Sequence, residues 1–286
     1  MKLLDALNKK AKPKATIIVN SYNHSDYIAA CLKSIIHQEV TFSCELIIYD
    51  DYSSDSTKEI INSIVPDLIN VRKIFSEENI HSQGKKQELW QKLLGELKGD
   101  VFFKIDGDDF WTDTSASRVQ IMTNTLLTNP SFSMCFSDTL KSNEGDISKS
   151  IFLLPDILKT KLSVEQLQIL DYSYILLGAC CFRKLDINFP PEMVLQKQSD
   201  NWWPLLWSAF GPAKYIENCG YLDYRYSSRG VWSSLDEAEK KRDKLIFACQ
   251  LTSYLLKEGN IKGAQNIAHR FIPLFKNNPY FPLKSR

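Results

Sequence analysis

Residues 101–111 read VFFKIDGDDFW, so a run of apolar residues stands directly before three carboxylates. The run has the length and composition of a buried β-strand. Asp106, Asp108 and Asp109 follow within four positions, where ionised groups repel one another. Residues two apart in an extended segment point the same way, so Asp106 and Asp108 form a DxD motif that can share a hard divalent cation. Gly107 permits a close approach or an unusual backbone angle there, although a solvated charged turn is the alternative for this motif taken alone.

The chain before this stretch alternates between strand and helix patterns. Apolar runs predict strands at 15–20, 45–49, 71–75 and 101–105, and apolar residues at helical spacing predict helices between them. Continuous apolar strands separated by helices indicate a parallel sheet covered on both faces. Ligands bind such sheets beyond the carboxyl ends of the strands, which is where the DxD motif falls.

Two further polar clusters follow predicted strands. SYNHSD follows the first strand, and DDYSSD comes at the end of the second. Tyr22 can stack on a base and Asn23 can offer an amide, although a plain turn of Asn and Ser is the alternative. Asp51 is suited to accept a hydrogen bond from an imide N–H such as that of uracil, whereas Asp55 is expected to be structural. Together with the DxD motif, these clusters predict one ligand site at one edge of the sheet.

The second half of the chain gives a more mixed pattern. Residues 141–150 are polar and predict a loop, and the apolar run at 174–183 predicts a strand. The remaining periodic segments predict helices at 115–128, 202–210, 236–257 and 259–276, and strands at 132–137, 214–217 and 221–226. The two last helices are expected to pack on the rest of the protein, to mediate dimerisation or to lie on a membrane, with packing as the default.

Composition limits the classes of protein. No apolar run approaches the roughly 20 residues that cross a bilayer, and the N-terminus lacks the pattern of a signal peptide, so a cytoplasmic location is predicted. The seven cysteines are scattered, which predicts reduced thiols rather than a disulfide framework or a zinc site. The four histidines, His24 among them, are isolated in the sequence and are not expected to bind metal.

Charge is unevenly spread along the chain. Residues 1–14 carry a net charge of +4 and residues 236–286 one of +5, which leaves −8 for the body, since the total is +1. Basic ends around an acidic body predict peripheral contact with the anionic inner face of a membrane, with solvated helix faces as an equal alternative. Without a dense basic patch or a nucleic-acid motif, nucleic-acid binding is disfavoured.

Taken together, IIVNSYNHSDYIAACLKSIIHQ, ELIIYDDYSSDST and KGDVFFKIDGDDFW resemble the nucleotide-sugar-binding half of the family 2 glycosyltransferases. QSDNWWPLL and YLDYRYSSRGVWS are similar to a bacterial subgroup that builds surface polysaccharides. The resemblance implies a GT-A fold, an α/β Rossmann-like architecture with a mostly parallel sheet and helices on both faces. It covers roughly residues 15–235 and implies a nucleotide-sugar-binding half at 15–111 and an acceptor-binding half at 112–235. The charge and periodicity of the sequence add a basic segment at 1–14 and a helical extension at 236–286, which the resemblance does not cover.

The same resemblance implies an activity and the residues that carry it. The expected reaction is inverting transfer of a sugar from a nucleotide-sugar, first of all a UDP-sugar, to a saccharide or lipid-linked saccharide, with Mn²⁺ or Mg²⁺ as cofactor. The implied site residues are Tyr22, Asn23, Asp51 and Asp106 for the nucleoside, Asp106 and Asp108 for the metal, Lys85 or Lys86 for the diphosphate, and Asp200 as general base.

The sequence departs from the subgroup's pattern at one position. Ser227 stands where relatives have a histidine after Tyr-Arg-x, which leaves a third contact to the metal or diphosphate unassigned. Arg225 and Arg229 are candidates to compensate by pairing with phosphate oxygens. Asp200 has a structural alternative, since its position also suits a helix cap. A nucleotidyltransferase and a non-catalytic nucleotide-sugar-binding relative are the rival functions.

Overall fold

The computed structural model describes residues 1–112, 117–143, 146–169, 175–190, 193, 200, 202–226 and 234–276. Ser227 and Arg229 lie outside these residues, so the sequence predictions for them stay predictions. The described strands are β1 Ala15–Ser21, β2 Cys44–Asp50, β3 Val71–Phe75, β4 Val101–Asp106, β5 Phe110–Trp111, β6 Met134–Phe136, β7 Thr139–Asn143, β8 Asp146–Phe152, β9 Lys161–Leu162, β10 Cys180–Arg183, β11 Ala213–Tyr215 and β12 Leu222–Tyr226. The described helices are α1 Leu3–Ala6, α2 Ile28–Ile36, α3 Thr57–Ile64, α4 Lys86–Gly95, α5 Arg118–Thr128, α6 Val164–Ile169, α7 Trp202–Ser208, α8 Glu237–Lys257 and α9 Ile261–Lys276.

Within the described chain, the larger sheet has the strand order β3-β2-β1-β4-β10-β6-β11-β9. Its first four strands are parallel, as the continuous apolar runs predicted. β10 then runs antiparallel between β4 and β6. The predicted strand at 174–183 was too long: residues 177–179 form a 3₁₀ turn, and only Cys180–Arg183 pair in the sheet.

Both faces of this sheet are buried, which explains why its central strands are apolar throughout. Ile18 of β1 and Phe102 of β4 belong to a core on one face, together with residues of α4, α7, α8 and α9. Ile17 and Phe103 belong to the core on the other face, with residues of α2, α3 and α5. The period-two alternation of a strand therefore feeds two separate hydrophobic cores.

The predicted loop at 141–150 is wrong, because this region contains strands. β7 pairs with β8 and with β12 in a second sheet of order β5-β12-β7-β8. A buried serine of this polar sequence has a hydrogen-bond partner in the neighbouring strand. The hydroxyl of Ser142, which is fully buried, donates to the carboxylate of Asp223 on β12.

The C-terminal helices pack on the rest of the protein, as the default prediction had it. α8 begins with a capping box in which Asp236 accepts from the Glu239 N–H. Trp202 of α7 is fully buried, and its ring centroid lies 5.8 Å from those of Phe247 and Tyr254, both on α8. No helix in the described part of the chain has the length and apolar character to cross a membrane.

Candidate functional site

Three polar clusters meet at one edge of the larger sheet, as the sequence predicted. β1 lies between β2 and β4, and its last residues pair in register with theirs. The Asn20 side-chain amide donates to Asp106 Oδ1 at 3.3 Å, and the Asn20 carbonyl accepts from the Gly107 N–H at 2.7 Å. On the other side, the Asp51 N–H donates to the Ser21 carbonyl at 2.8 Å. The loop after β1 is therefore fixed to both of its neighbours.

Gly107 explains how closely these loops approach. A Cβ at this position would lie 2.8 Å from Ile28 Cδ1 and 2.9 Å from His24 Nδ1, closer than side chains normally come. The close approach expected at this glycine is thus present. It packs the loop that carries the acidic residues against the start of α2.

Asn23 and Asp55 join the first two loops. Asn23 has a left-handed backbone with φ of 52°, its N–H donates to Ser53 Oγ at 2.8 Å, and its Oδ1 accepts from the Ser54 N–H at 2.8 Å. Asp55 accepts from the N–H groups of Ser25 and Thr57, each at 3.0 Å, which confirms its structural role. These contacts give Asn23 a structural part in shaping the loop beside the one predicted for it toward a nucleoside.

Replacing Asn23 with Ala should lower the free energy of unfolding by about 2 kcal/mol. Ala loses the hydrogen bond with Ser54 and also adopts the left-handed backbone with more strain than Asn. Asn23→Gly is the matched variant, because it loses the same hydrogen bond without the strain and should cost about 1 kcal/mol. Urea unfolding of both variants measures the difference. Equal losses would contradict the contribution assigned to the backbone.

Asp51 is buried and its carboxylate is already well supplied with donors. Oδ1 accepts from the Tyr49 hydroxyl at 2.9 Å and from the Ile80 N–H at 2.8 Å, and Oδ2 accepts from the His81 N–H at 3.0 Å. A carboxylate has about four acceptor positions, so roughly one is left for an imide N–H. Tyr22, in the neighbouring loop, is exposed and open to a planar ligand.

The two lysines proposed for the diphosphate differ in their surroundings. Lys85 is half exposed, and its ammonium lies 3.5 Å from Glu78. Lys86 begins α4, and its positive charge helps to lower the pKa of Asp106. It also helps to lower the pKa of His81, where burial is the larger cause. Lys86 is therefore better placed than Lys85 to meet an anionic ligand at this edge.

A buried lysine that sequence reasoning did not assign lies inside the acidic cluster. Lys104 is 1% exposed, and its ammonium donates to Asp106 Oδ1 at 3.1 Å. Burial would lower the pKa of Lys104, but the charges of Asp106 and Asp200 outweigh it and raise the pKa. In turn, burial would raise the pKa of Asp106, but Lys104 holds it below the usual value. The only available signal was a lysine within the apolar run VFFKI.

The other two carboxylates have different partners. Asp109 is buried and its Oδ1 accepts from the Arg225 N–H at 3.0 Å. Burial, with the nearby charges of Asp108 and Asp106, raises the pKa of Asp109 well above its usual value. Asp108 is 30% exposed, and burial raises its pKa as well. The three acids therefore differ. Asp106 is paired with Lys104, and Asp109 is held toward its neutral form. Judged by its protein partners, Asp108 is the carboxylate most open to a cation.

Arg225 is one of the two predicted diphosphate contacts, and the structure places it over the acidic loop. Its guanidinium carbon lies 4.5 Å from the ring centroid of Tyr27 and 5.7 Å from that of Phe110. The Nε atom is buried and has no hydrogen-bond partner among the described residues. A buried donor without a partner is costly, and an anionic oxygen would satisfy it.

Asp200 lies at the start of α7 and shares the same region. Its carbonyl oxygen accepts from the Trp203 N–H at 3.2 Å. Its Oδ1 atom is buried and has no hydrogen-bond partner among the described residues, so this oxygen does not cap the helix. The negative charge of Asp200 contributes to the pKa values of Lys104, His81 and Tyr224, which places its carboxylate in the electrostatic field of the acidic cluster.

A divalent cation would need donors from outside the protein at this site. No three His, Cys, Asp or Glu side chains converge into a metal cluster in the part of the chain that the structure describes. Mg²⁺ commonly binds proteins through one or two carboxylates and completes its shell with water and substrate phosphates. Asp106 and Asp108 fit that pattern, with Asp106 already sharing one oxygen with Lys104.

Comparison with known proteins finds relatives of the first half of the chain. Residues 16–153, a little under half of the chain, match the family model described as Glycosyl transferase family 2. A GalNAc(5)-diNAcBac-PP-undecaprenol beta-1,3-glucosyltransferase of Campylobacter jejuni is 27% identical over 139 residues, 48% of this chain and 41% of that protein. An uncharacterized protein of Mycobacterium tuberculosis is 31% identical over 124 residues. The chain spans only about a third, 34%, of the length of the first curated relatives, this protein among them.

Solved structures confirm the predicted GT-A fold with its helical C-terminal region. S. aureus TarS 1-349 in complex with UDP has a TM-score of 0.62 at 18% identity, covering 96% of this chain and 75% of TarS. A mannosyltransferase from Pyrobaculum calidifontis in complex with GDP-Man and Mn²⁺ has a TM-score of 0.59 at 17% identity, covering 97% of this chain and 76% of the mannosyltransferase.

Proposed function

We propose that the protein is an inverting glycosyltransferase that moves a sugar from a nucleotide-sugar to a hydroxyl of a saccharide or lipid-linked saccharide. A UDP-sugar is the first candidate donor, because similar structures were solved with UDP and with UDP-GlcNAc. Synthesis of a bacterial surface glycan is the proposed setting, since the relatives include a poly(ribitol-phosphate) beta-glucosyltransferase and a GalNAc(5)-diNAcBac-PP-undecaprenol beta-1,3-glucosyltransferase.

The observation that carries this proposal is the Asp200 carboxylate. Its Oδ1 is buried without a hydrogen-bond partner among the described residues, and its negative charge is near enough to Lys104 to help raise the pKa of that lysine. A general base needs an oxygen that is free to accept a proton from the acceptor hydroxyl. Asp200 has that oxygen, and its charge acts on His81 and Tyr224, which supports a place for it near the proposed nucleotide site.

The proposed step is a single displacement. Asp200 Oδ1 takes the proton of the acceptor hydroxyl, the hydroxyl oxygen forms a bond to C1 of the sugar, and the bond from C1 to the diphosphate oxygen breaks. Attack from the face opposite the leaving group inverts the configuration at C1. The nucleoside diphosphate leaves with the electron pair, and Lys86 and Arg225 are the cationic side chains proposed to hold it.

The proposed cofactor is Mn²⁺ or Mg²⁺ held at Asp106 and Asp108. When bound, the cation supplies positive charge to the departing diphosphate. The protein's own cations, Lys86, Lys104 and Arg225, surround the same region and reduce the repulsion between the acidic loop and an anionic donor. We place the reaction in the cytoplasm. Two further features stay predictions: contact of the basic chain ends with anionic lipid, and formation of a homodimer.

A donor screen tests the function directly. Purified protein with Mn²⁺ should release UDP or GDP from one nucleotide-sugar of a panel, and the release should increase when a suitable acceptor is added. Isothermal titration with UDP, run on the same samples, separates the rival functions. A protein that binds UDP but turns over no donor with any acceptor is a binding relative, and one that releases pyrophosphate from a nucleoside triphosphate and sugar phosphate is a nucleotidyltransferase.

A further inference from the structure

The acidic loop faces a histidine from the loop after β1. His24 Nε2 lies 3.9 Å from Asp108 Oδ2, with the two side chains 19% and 30% exposed. The distance is too long for a hydrogen bond between them. From the sequence, isolated histidines were not expected to bind metal. His24 and Asp108 come together only because the fold brings the ends of β1 and β4 side by side.

Hydrogen bonds hold the backbone of His24 at the start of α2. The His24 N–H donates to Thr57 Oγ1 at 2.9 Å, and its carbonyl accepts from the Ile28 N–H at 2.8 Å, at the start of α2. The ring nitrogen Nδ1 is buried beside Gly107 and has no hydrogen-bond partner among the described residues. Nδ1 therefore lies against the backbone of the acidic loop, and Nε2 is the ring nitrogen near the Asp108 carboxylate.

The separation of the two atoms suits a shared cation. Donors about 2.1 Å from one metal ion lie about 3.0 Å apart at a 90° angle and about 4.2 Å apart at 180°. The 3.9 Å between His24 Nε2 and Asp108 Oδ2 falls between these limits. Neutral imidazole nitrogen and carboxylate oxygen are both established ligands of first-row divalent ions.

We propose that His24 Nε2 and Asp108 Oδ2 bind the same divalent cation. Asp106, which shares one oxygen with Lys104, keeps its proposed place beside them, and His24 supplies the nitrogen donor that Ser227 cannot offer. This inference rests on the proposed function for the identity of the remaining ligands, which are the diphosphate oxygens. It adds a residue to the metal site that the sequence pattern alone had set aside.

Electron spin echo spectroscopy of bound Mn²⁺ tests this directly, with inorganic pyrophosphate as the probe so that no nucleobase nitrogen is present. The wild-type protein and His37→Ala, the matched control on an exposed histidine at the end of α2, should show modulation from a coordinated ¹⁴N nucleus. His24→Gln should lose this modulation. Its Mn²⁺ dissociation constant should rise at least about tenfold, the effect seen when even an outer partner of a metal ligand is lost.

Three results would overturn the proposal: wild-type protein that binds no Mn²⁺ at millimolar concentration, bound Mn²⁺ without ¹⁴N modulation, or modulation that persists in His24→Gln. The wild-type spectrum decides the matter even if the variant folds poorly. Because the experiment uses neither a nucleotide-sugar nor turnover, a positive spectrum with no transferase activity would leave the metal site standing and reject the proposed function alone.

Discussion

Asp200→Asn should reduce turnover by about a hundredfold to ten-thousandfold, the range that a general base contributes. Asn keeps the size of the side chain and its oxygen, but an amide cannot accept a proton from the acceptor hydroxyl at neutral pH. Oδ1 of Asp200 has no hydrogen-bond partner among the described residues, so the substitution breaks no contact of that atom. Release of the nucleoside diphosphate, measured with saturating donor and acceptor, gives the rate.

Binding must stay intact for this result to identify the base. The variant should bind UDP in the presence of Mn²⁺ with the wild-type dissociation constant and should melt at the wild-type temperature. Asp186→Asn, which changes an exposed carboxylate after β10, is the matched control and should retain full activity. Wild-type turnover by Asp200→Asn would remove Asp200 from the mechanism.

Asp106→Asn should lower the free energy of unfolding by about 3 kcal/mol, the cost of breaking a buried ion pair from one side. The substitution leaves the ammonium of Lys104, which is 1% exposed and lies 5.4 Å from the ring centroid of Trp90, without its charged partner. Lys104→Met is expected to cost only about 1 kcal/mol, because Asp106 is 36% exposed and water can solvate it. The double variant should resemble Lys104→Met, since it has no buried ammonium.

The dependence on pH gives this prediction a second check. In Asp106→Asn, burial lowers the pKa of Lys104 once its main charged partner is gone. Between this lowered pKa and the usual lysine pKa, the unfolded chain binds more protons than the folded one, so stability rises with pH there and the deficit shrinks at alkaline pH. In the wild type, Lys104 has a raised pKa and its contribution is lost as the pH rises through that value. Urea unfolding across the pH range would contradict the assignment if the deficit stayed constant.

The parallel half of the fold was predictable because its strands are buried on both faces. Such strands are continuous apolar runs, and β3 has the boundaries that its sequence predicted. β7 and β8 were missed for the opposite reason. Their polar residues match a loop pattern, and the contact between Ser142 and Asp223 that accommodates one of them joins residues far apart in the chain.

The candidate site divides in the same way. Loop positions at strand ends could be predicted from the sequence, because parallel strands bring their carboxyl ends to one edge. Which side chain meets which could not. The pairing of Lys104 with Asp106, the approach of His24 to Asp108 and the exposure of Lys85 depend on side-chain directions after the strands are assembled.

Trp202 makes the C-terminal helices part of the framework that holds the proposed base. It is the first residue of α7, next to the turn that carries Asp200, and it packs edge-on against Phe247 and Tyr254 of α8. Exchange of the C-terminal segment between relatives would therefore replace the surface that fixes α7. A chimera of this kind therefore needs matching aromatic residues on both helices.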